Sequence, residues 1–133
     1  MSKKFHEGKD ELKFLSVFFR TTTAAEDIDL LLIQPLERPI RVRGVRVMFF
    51  ALDTYASGVD LNLQTDTGTT ETEIANYDTV GGESATAVKT VYDFTLSNDQ
   101  RVEVGEWLQL QIDDDEDAAC GGVVQLEYVE LEV

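Results

Sequence analysis

The stretch Trp107-Leu108-Gln109-Leu110-Gln111-Ile112-Asp113 decides the fold class, because Leu108, Leu110 and Ile112 alternate with Gln109, Gln111 and Asp113. Successive side chains of a strand point to opposite faces, so this period of two makes one face apolar and the other wet. That pattern belongs to an antiparallel strand buried on one side. Outward from it, short apolar runs rich in Val, Ile, Leu, Thr and aromatics span 14–22, 28–33, 40–52, 59–65, 88–96, 101–104 and 123–133. Together they make about eight strands. A further segment, Glu71 to Tyr77, reads as either a strand or a helical turn, since its apolar residues are Ile74, Ala75 and Tyr77 alone.

Turn chemistry between the runs favours hairpins: Thr65-Asp66-Thr67-Gly68, Ser97-Asn98-Asp99 and Val104-Gly105-Glu106. No gap carries a helical period over a dozen residues, which argues against parallel βαβ units. The expected fold is all-β, an antiparallel β-sandwich, jelly-roll-like, of about eight strands. Residues 1–13, with Lys3, Lys4, Glu7, Lys9, Asp10, Glu11 and Lys13, read as a charged N-terminal arm, and 14–133 as a single sandwich domain. The 22 residues from Asp66 to Ala87 are too long for a tight hairpin and suit an interaction element.

Two runs change phase. Ile40 and Val42 share one parity, whereas Val45, Val47 and Phe49 take the other, with Gly44 at the slip. Val124, Leu126 and Tyr128 are likewise followed by Val129, Leu131 and Val133. Each slip is either a β-bulge or a place where both faces of the strand are buried.

Composition excludes several classes of function. The chain has 133 residues, 26 acidic against 11 basic, a net charge of −15 and 43% hydrophobic residues. That apolar content supports a folded core. The charge repels phosphate backbones and anionic headgroups, so neither nucleic acid nor a membrane surface is an expected partner. Cys120 is the sole cysteine and His6 the sole histidine. Internal disulfides, thiolate zinc clusters and histidine-centred catalysis therefore lack their parts, and no catalytic or cofactor-binding residues are expected. Neither a signal-peptide core nor an apolar membrane span is present, so synthesis in a cytoplasm without export is the expectation.

The charge is unevenly placed. Up to Arg46 there are nine basic and seven acidic residues, and beyond it two basic and 19 acidic, a division of +2 against −17. Arg38, Arg41, Arg43 and Arg46 lie within nine residues. Arg41 and Arg43 share a strand face, and the slip at Gly44 decides whether Arg46 joins them. They form either a docking stripe for an acidic partner surface or internal pairs with neighbouring carboxylates. Asp113, Asp115 and Asp117 alternate in the run Asp113-Asp114-Asp115-Glu116-Asp117 and are the candidate Ca²⁺ ligands. The EF-hand pattern fails there, with Ala118 and Val124 at its glycine and glutamate positions. A solvated, self-repelling hairpin tip is the competing reading. Trp107 opposes Leu108 in parity, so it stands on the outer face as a candidate partner contact.

Read together, Val45-Arg46-Val47-Met48-Phe49-Phe50-Ala51-Leu52, Gly58-Val59-Asp60-Leu61-Asn62-Leu63, Phe94-Thr95-Leu96-Ser97, Val104-Gly105-Glu106-Trp107-Leu108-Gln109-Leu110-Gln111-Ile112 and Gly122-Val123-Val124-Gln125-Leu126-Glu127-Tyr128-Val129 form a familiar succession. From Ile40 to Val133 the chain resembles small virion structural proteins of tailed bacteriophages and related viruses. That group includes head decoration, or cement, proteins with a sandwich or jelly-roll body. The resemblance implies a non-enzymatic virion protein, made in the host cytoplasm, that binds the major capsid protein and its own copies, with a trimer favoured, and strengthens the head. The alternative is a carbohydrate-binding or adhesion module in which Trp107, Tyr77 or Tyr55 stacks on sugar. An enzyme built on paired carboxylates is the third reading, with no pocket or cofactor signature behind it.

Overall fold

The computed structural model describes residues 11–21, 27–52, 59–78, 88–114 and 120–132. They form ten strands: β1 (Lys13–Arg20), β2 (Asp27–Ile33), β3 (Ile40–Leu52), β4 (Val59–Asp66), β5 (Glu71–Asp78), β6 (Val91–Asp93), β7 (Thr95–Leu96), β8 (Arg101–Val102), β9 (Trp107–Asp114) and β10 (Cys120–Glu130). Sheet A has the order β1-β10-β3-β6, with β8 also on β3, and sheet B the order β2-β9-β4-β5-β7. All pairings are antiparallel. Strands that alternate between two sheets in this order make a jelly-roll sandwich, as the alternating patterns predict.

The strand count exceeds eight for two reasons. Glu71–Asp78 is a strand, because Leu61 and Leu63 of β4 pair with Tyr77 and Ala75 and complete their apolar rows. The long break after Asp66 therefore holds a hairpin partner: Thr67 N–H donates to Thr70 C=O at 3.0 Å, with Gly68 at φ 98°. The run from Val88 to Leu96 is divided at Phe94. β6 lies on β3 of sheet A, β7 on β5 of sheet B and β8 again on β3. Phe94 N–H donates to Val45 C=O, Ser97 N–H to Ile74 C=O, and Val42 N–H to Gln100 C=O. The segment 91–102 thus stitches both sheets along one side.

The core fills the space between the inner faces. Phe49, Leu61, Leu63, Ile74, Leu108, Leu110, Ile112 and Leu126 are fully enclosed. Phe49 meets Phe19 edge-on at 5.9 Å, and Tyr77 packs on Tyr92 at 5.3 Å. Cys120, at 1% exposure, is a packing residue whose backbone N–H donates to Thr21 Oγ1.

The phase slip at Gly44 is a bulge. Glu127 pairs with Gly44 and Tyr128 with Val42, which leaves Arg43 as the additional residue on β3. A second shift pairs Gly121 with Ala51 and Gly122 with Phe49, leaving Phe50 unpaired. These two residues account for the lengths of 13 in β3 and 11 in β10. Strand β10 skips nothing at Tyr128-Val129. Val129 pairs with Arg41 on the outer side and is buried there, outside the central cluster, so both faces of that strand are covered.

β10 begins at Cys120, earlier than the apolar run from Val123 indicated, and the glycines explain it. A Cβ on Gly122 would stand 2.6 Å from the Met48 carbonyl oxygen, and one on Gly121 would stand 2.8 Å from the Phe50 ring. At Gly44 an added Cβ would meet nothing nearer than Glu127 Oε2 at 3.6 Å, so the bulge does not require glycine there. Gly122→Ala should therefore lower stability by about 1–3 kcal/mol, as overpacking does. Gly44→Ala should stay within about 0.5 kcal/mol of the parent. Equilibrium urea unfolding of both variants checks the contrast.

Candidate functional site

The two outer faces differ in chemistry. On sheet A the register aligns Phe18, Val123, Met48 and Val91 across β1, β10, β3 and β6. Phe18 is 73% and Val91 58% exposed, and Phe14 and Phe50 are exposed on the same face. Inward side chains alternate with these, namely Val17, Val124, Val47 and Tyr92 on the next rung. A shallow groove of about 190 Å³ runs over this row, between Ser16, Arg46, Met48, Val91, Val123 and Gln125. Arg20 lies over the Phe50 ring at 5.3 Å, joining a cation to the apolar surface.

On sheet B the outward positions are mostly polar and acidic, with Leu31 and Trp107 as exposed apolar exceptions. Asp29, Gln111, Asn62 and Asn76 make one rung, and Asp27, Asp113, Asp60 and Asp78 occupy the next in register. Asn76 Nδ2 donates to Asp60 Oδ1 at 2.5 Å and to Asn62 Oδ1 at 2.7 Å. Asp66, Glu71 and Glu73 follow toward the other end, where Gln109 Nε2 donates to Glu71 Oε2 at 3.3 Å. Among the described residues no Lys or Arg stands on this face. Carboxylates opposite one another across strands repel.

The four arginines differ in their pairing. The bulge does place Arg46 on the outer face, but its guanidinium reaches Glu127 at 2.7 Å and Asp93 at 3.8 Å. Arg41 pairs with Asp99 at 3.1 Å. Both are engaged with the chain's own carboxylates. Arg43, the bulged residue, and Arg38, in the link between β2 and β3, are exposed and have no ion pair among the described residues. Arg38 lines an open depression of about 590 Å³ with Glu37, Pro35, Tyr128 and Glu130.

Trp107 is 37% exposed at the start of β9, opposite Asp66, and does not line that depression. Tyr77 is turned into the core against Phe49, Tyr92 and Phe94, so it offers no ring to a sugar. Tyr55 lies outside the described residues, as do Asp115 and Asp117. Of the candidate Ca²⁺ ligands only Asp113 has a described backbone, in the aspartate rung near the end of β9. The described residues contain no group of three or more His, Cys, Asp or Glu arranged to hold a metal.

Composition and charge counting do not expose the apolar row on sheet A. Its signal lay in Phe14-Leu15-Ser16-Val17-Phe18-Phe19, where large apolar residues of both parities share one strand. With Leu15, Val17 and Phe19 facing the core, Phe14 and Phe18 must face outward.

The fold defines the class as a jelly-roll β-sandwich. No protein-family model and no curated protein matches the sequence. Among solved structures, a chain of the acidic stable capsid structure of Helicobacter pylori bacteriophage KHP30 matches with a TM-score of 0.54 and 13% identity. The match covers 92% of this chain and 100% of that chain. At that identity the likeness shows a shared fold.

Two predictions follow from the faces. A double-mutant cycle on Arg46 and Glu127, using Arg46→Met and Glu127→Gln, should give a coupling of about 0.5–1 kcal/mol by chemical unfolding, the range of partly exposed pairs. Raising NaCl from low concentration should increase the melting temperature by a few degrees, because salt screens the repulsion among the excess carboxylates more than it weakens the partly exposed ion pairs. Differential scanning calorimetry reads this shift, and a fall in melting temperature would contradict it.

Proposed function

We infer that this chain is a non-enzymatic virion structural protein of decoration type, attached to a capsid shell by the outer face of sheet A. The observation that carries the reading is the opposition of the two faces. Exposed contiguous apolar surface on a soluble domain marks an interaction site. Here it is most extensive on one side of a sandwich whose other side, apart from Leu31 and Trp107, is polar and acidic, with no Lys or Arg among the described residues. Such a molecule binds in one orientation, with sheet B toward solvent. The capsid setting is supported by the fold shared with a chain of a phage capsid, whose whole length is matched by a domain of this size. The major capsid protein is the expected partner, with neighbouring copies completing the contacts. Arg43 and Arg38 remain available to acidic groups at the rim. The alternative sugar-binding reading loses Tyr77 to the core.

Co-sedimentation with shell particles freed of this protein tests the reading. The paired change Met48→Asp and Val91→Asp should weaken attachment at least about tenfold, because it places charge in the apolar row. Leu31→Asp, at a 62% exposed position on sheet B, should leave attachment unchanged. Equal effects from the two faces, or none from sheet A, would overturn the assignment.

A further inference from the structure

The sandwich has four sheet edges, and they are not alike. On one side, the stitched segment 91–102 occupies both. On the other, β2 carries Asp27 and Asp29, is interrupted by a bulge at Leu32 and runs into Pro35. Charge, bulges and proline are the devices that keep an edge from pairing. β1 has no bulge and no proline, and its charges are confined to its two end residues. It keeps an unbroken register with β10 from Lys13–Tyr128 to Arg20–Gly121, with Lys13 and Arg20 at its ends and no carboxylate. Among the described residues, nothing pairs with its outer side.

Thr21 N–H donates to the Cys120 carbonyl, so odd-numbered residues at this edge aim their backbone groups at β10. In an antiparallel ladder the alternate residues aim theirs away. Phe14, Ser16 and Phe18 therefore present free N–H and C=O groups along the edge, and their side chains stand on the exposed outer face.

We propose that β1 pairs antiparallel with β1 of a second copy about a twofold axis at Ser16. This register sets Phe14 opposite the partner's Phe18, Ser16 opposite the partner's Ser16, and Leu15 opposite the partner's Val17. Every pair facing the seam through its backbone is even-numbered, as the free groups require. The outer side gains two cross-strand aromatic pairs and the inner side continues the apolar layer. Lys13 meets the partner's Phe19 and Arg20 the partner's Leu12, so no like charges stand directly opposite. Two copies of net charge −15 approach best at a strand that has cations and no acids. The joined sheets also lengthen the row Phe18-Val123-Met48-Val91 by one residue, the partner's Phe14, whose rung then continues to Glu127. The seam names the copy-to-copy contact of the function inferred above and rests on that reading for its setting alone.

The experiment is sedimentation equilibrium of the full chain without capsids, which separates failure of the seam from failure of capsid attachment. The parent should sediment as a dimer. Ser16→Pro removes an N–H that points away from β10, so it should weaken the dimer about tenfold or more while the melting profile of the monomer stays cooperative. Met48→Asp with Val91→Asp should leave the dimer intact. In a second measurement, Ser16→Cys treated with a short bis-maleimide should cross-link between copies, and Leu31→Cys should not. A monomeric parent at all concentrations, a dimer that survives in folded Ser16→Pro, or equal cross-linking at the two sites would overturn the seam. If Ser16→Pro fails to fold, the cross-link decides.

Discussion

The pairing of β3 with β10 is the constraint on which the rest depends. β10 lies between β1 and β3, and β3 in turn carries β6 and β8, so every strand of sheet A is referred to this one ladder. The 13 residues of β3 match the 11 of β10 only because Arg43 and Phe50 are left out of register. A bulge reverses the side-chain parity that follows it. Ile40 and Val42 before Arg43, and Val45, Val47 and Phe49 after it, can therefore all reach the core. Arg46 and Met48 come outward in consequence. The outer face of sheet A, with its row of apolar residues and its Arg46–Glu127 pair, follows from one unpaired residue.

A net charge of −15 is an incomplete description of this surface. On sheet A, Arg46 is paired with Glu127 and Asp93, Arg20 lies over the Phe50 ring, and large apolar side chains stand between them. Among the described residues, the strands of sheet B carry carboxylates and no Lys or Arg. Repulsion between copies is consequently directional. It is strong where sheet B faces sheet B and weak at the edge or face of sheet A, so charge selects orientation more than it prevents contact.

The strand pattern was legible because burial on one face writes itself as alternation, most clearly in Leu108, Leu110 and Ile112. The fold class and most strand positions follow from that rule. Glu71–Asp78 escaped it because a bulge puts Ile74 and Ala75 side by side in the core, which breaks the period of two. Phe94 hid the division between β6 and β7, since a chain that changes sheets keeps its β-type composition. The arginines were visible as a cluster but not as pairs, because Asp99, Asp93 and Glu127 come from three other parts of the chain. Partnerships of that kind depend on register between distant strands, which local sequence does not encode. The apolar row on sheet A is distributed in the same way over β1, β10, β3 and β6.

The place of β10 between β1 and β3 also fixes an order of events during synthesis. β1 and β3 leave the ribosome early, yet they touch β10 and not each other. The β4–β5 hairpin closes over a short turn and can form locally, whereas sheet A has no centre until the residues after Cys120 have been made. Contacts of such sequence separation are slow to form because loop closure precedes any gain from them. In the interval the inner and outer apolar residues of β1 and β3 are exposed together. Sheet A is thus completed only when its central strand, the last to be made, enters between two strands made before it.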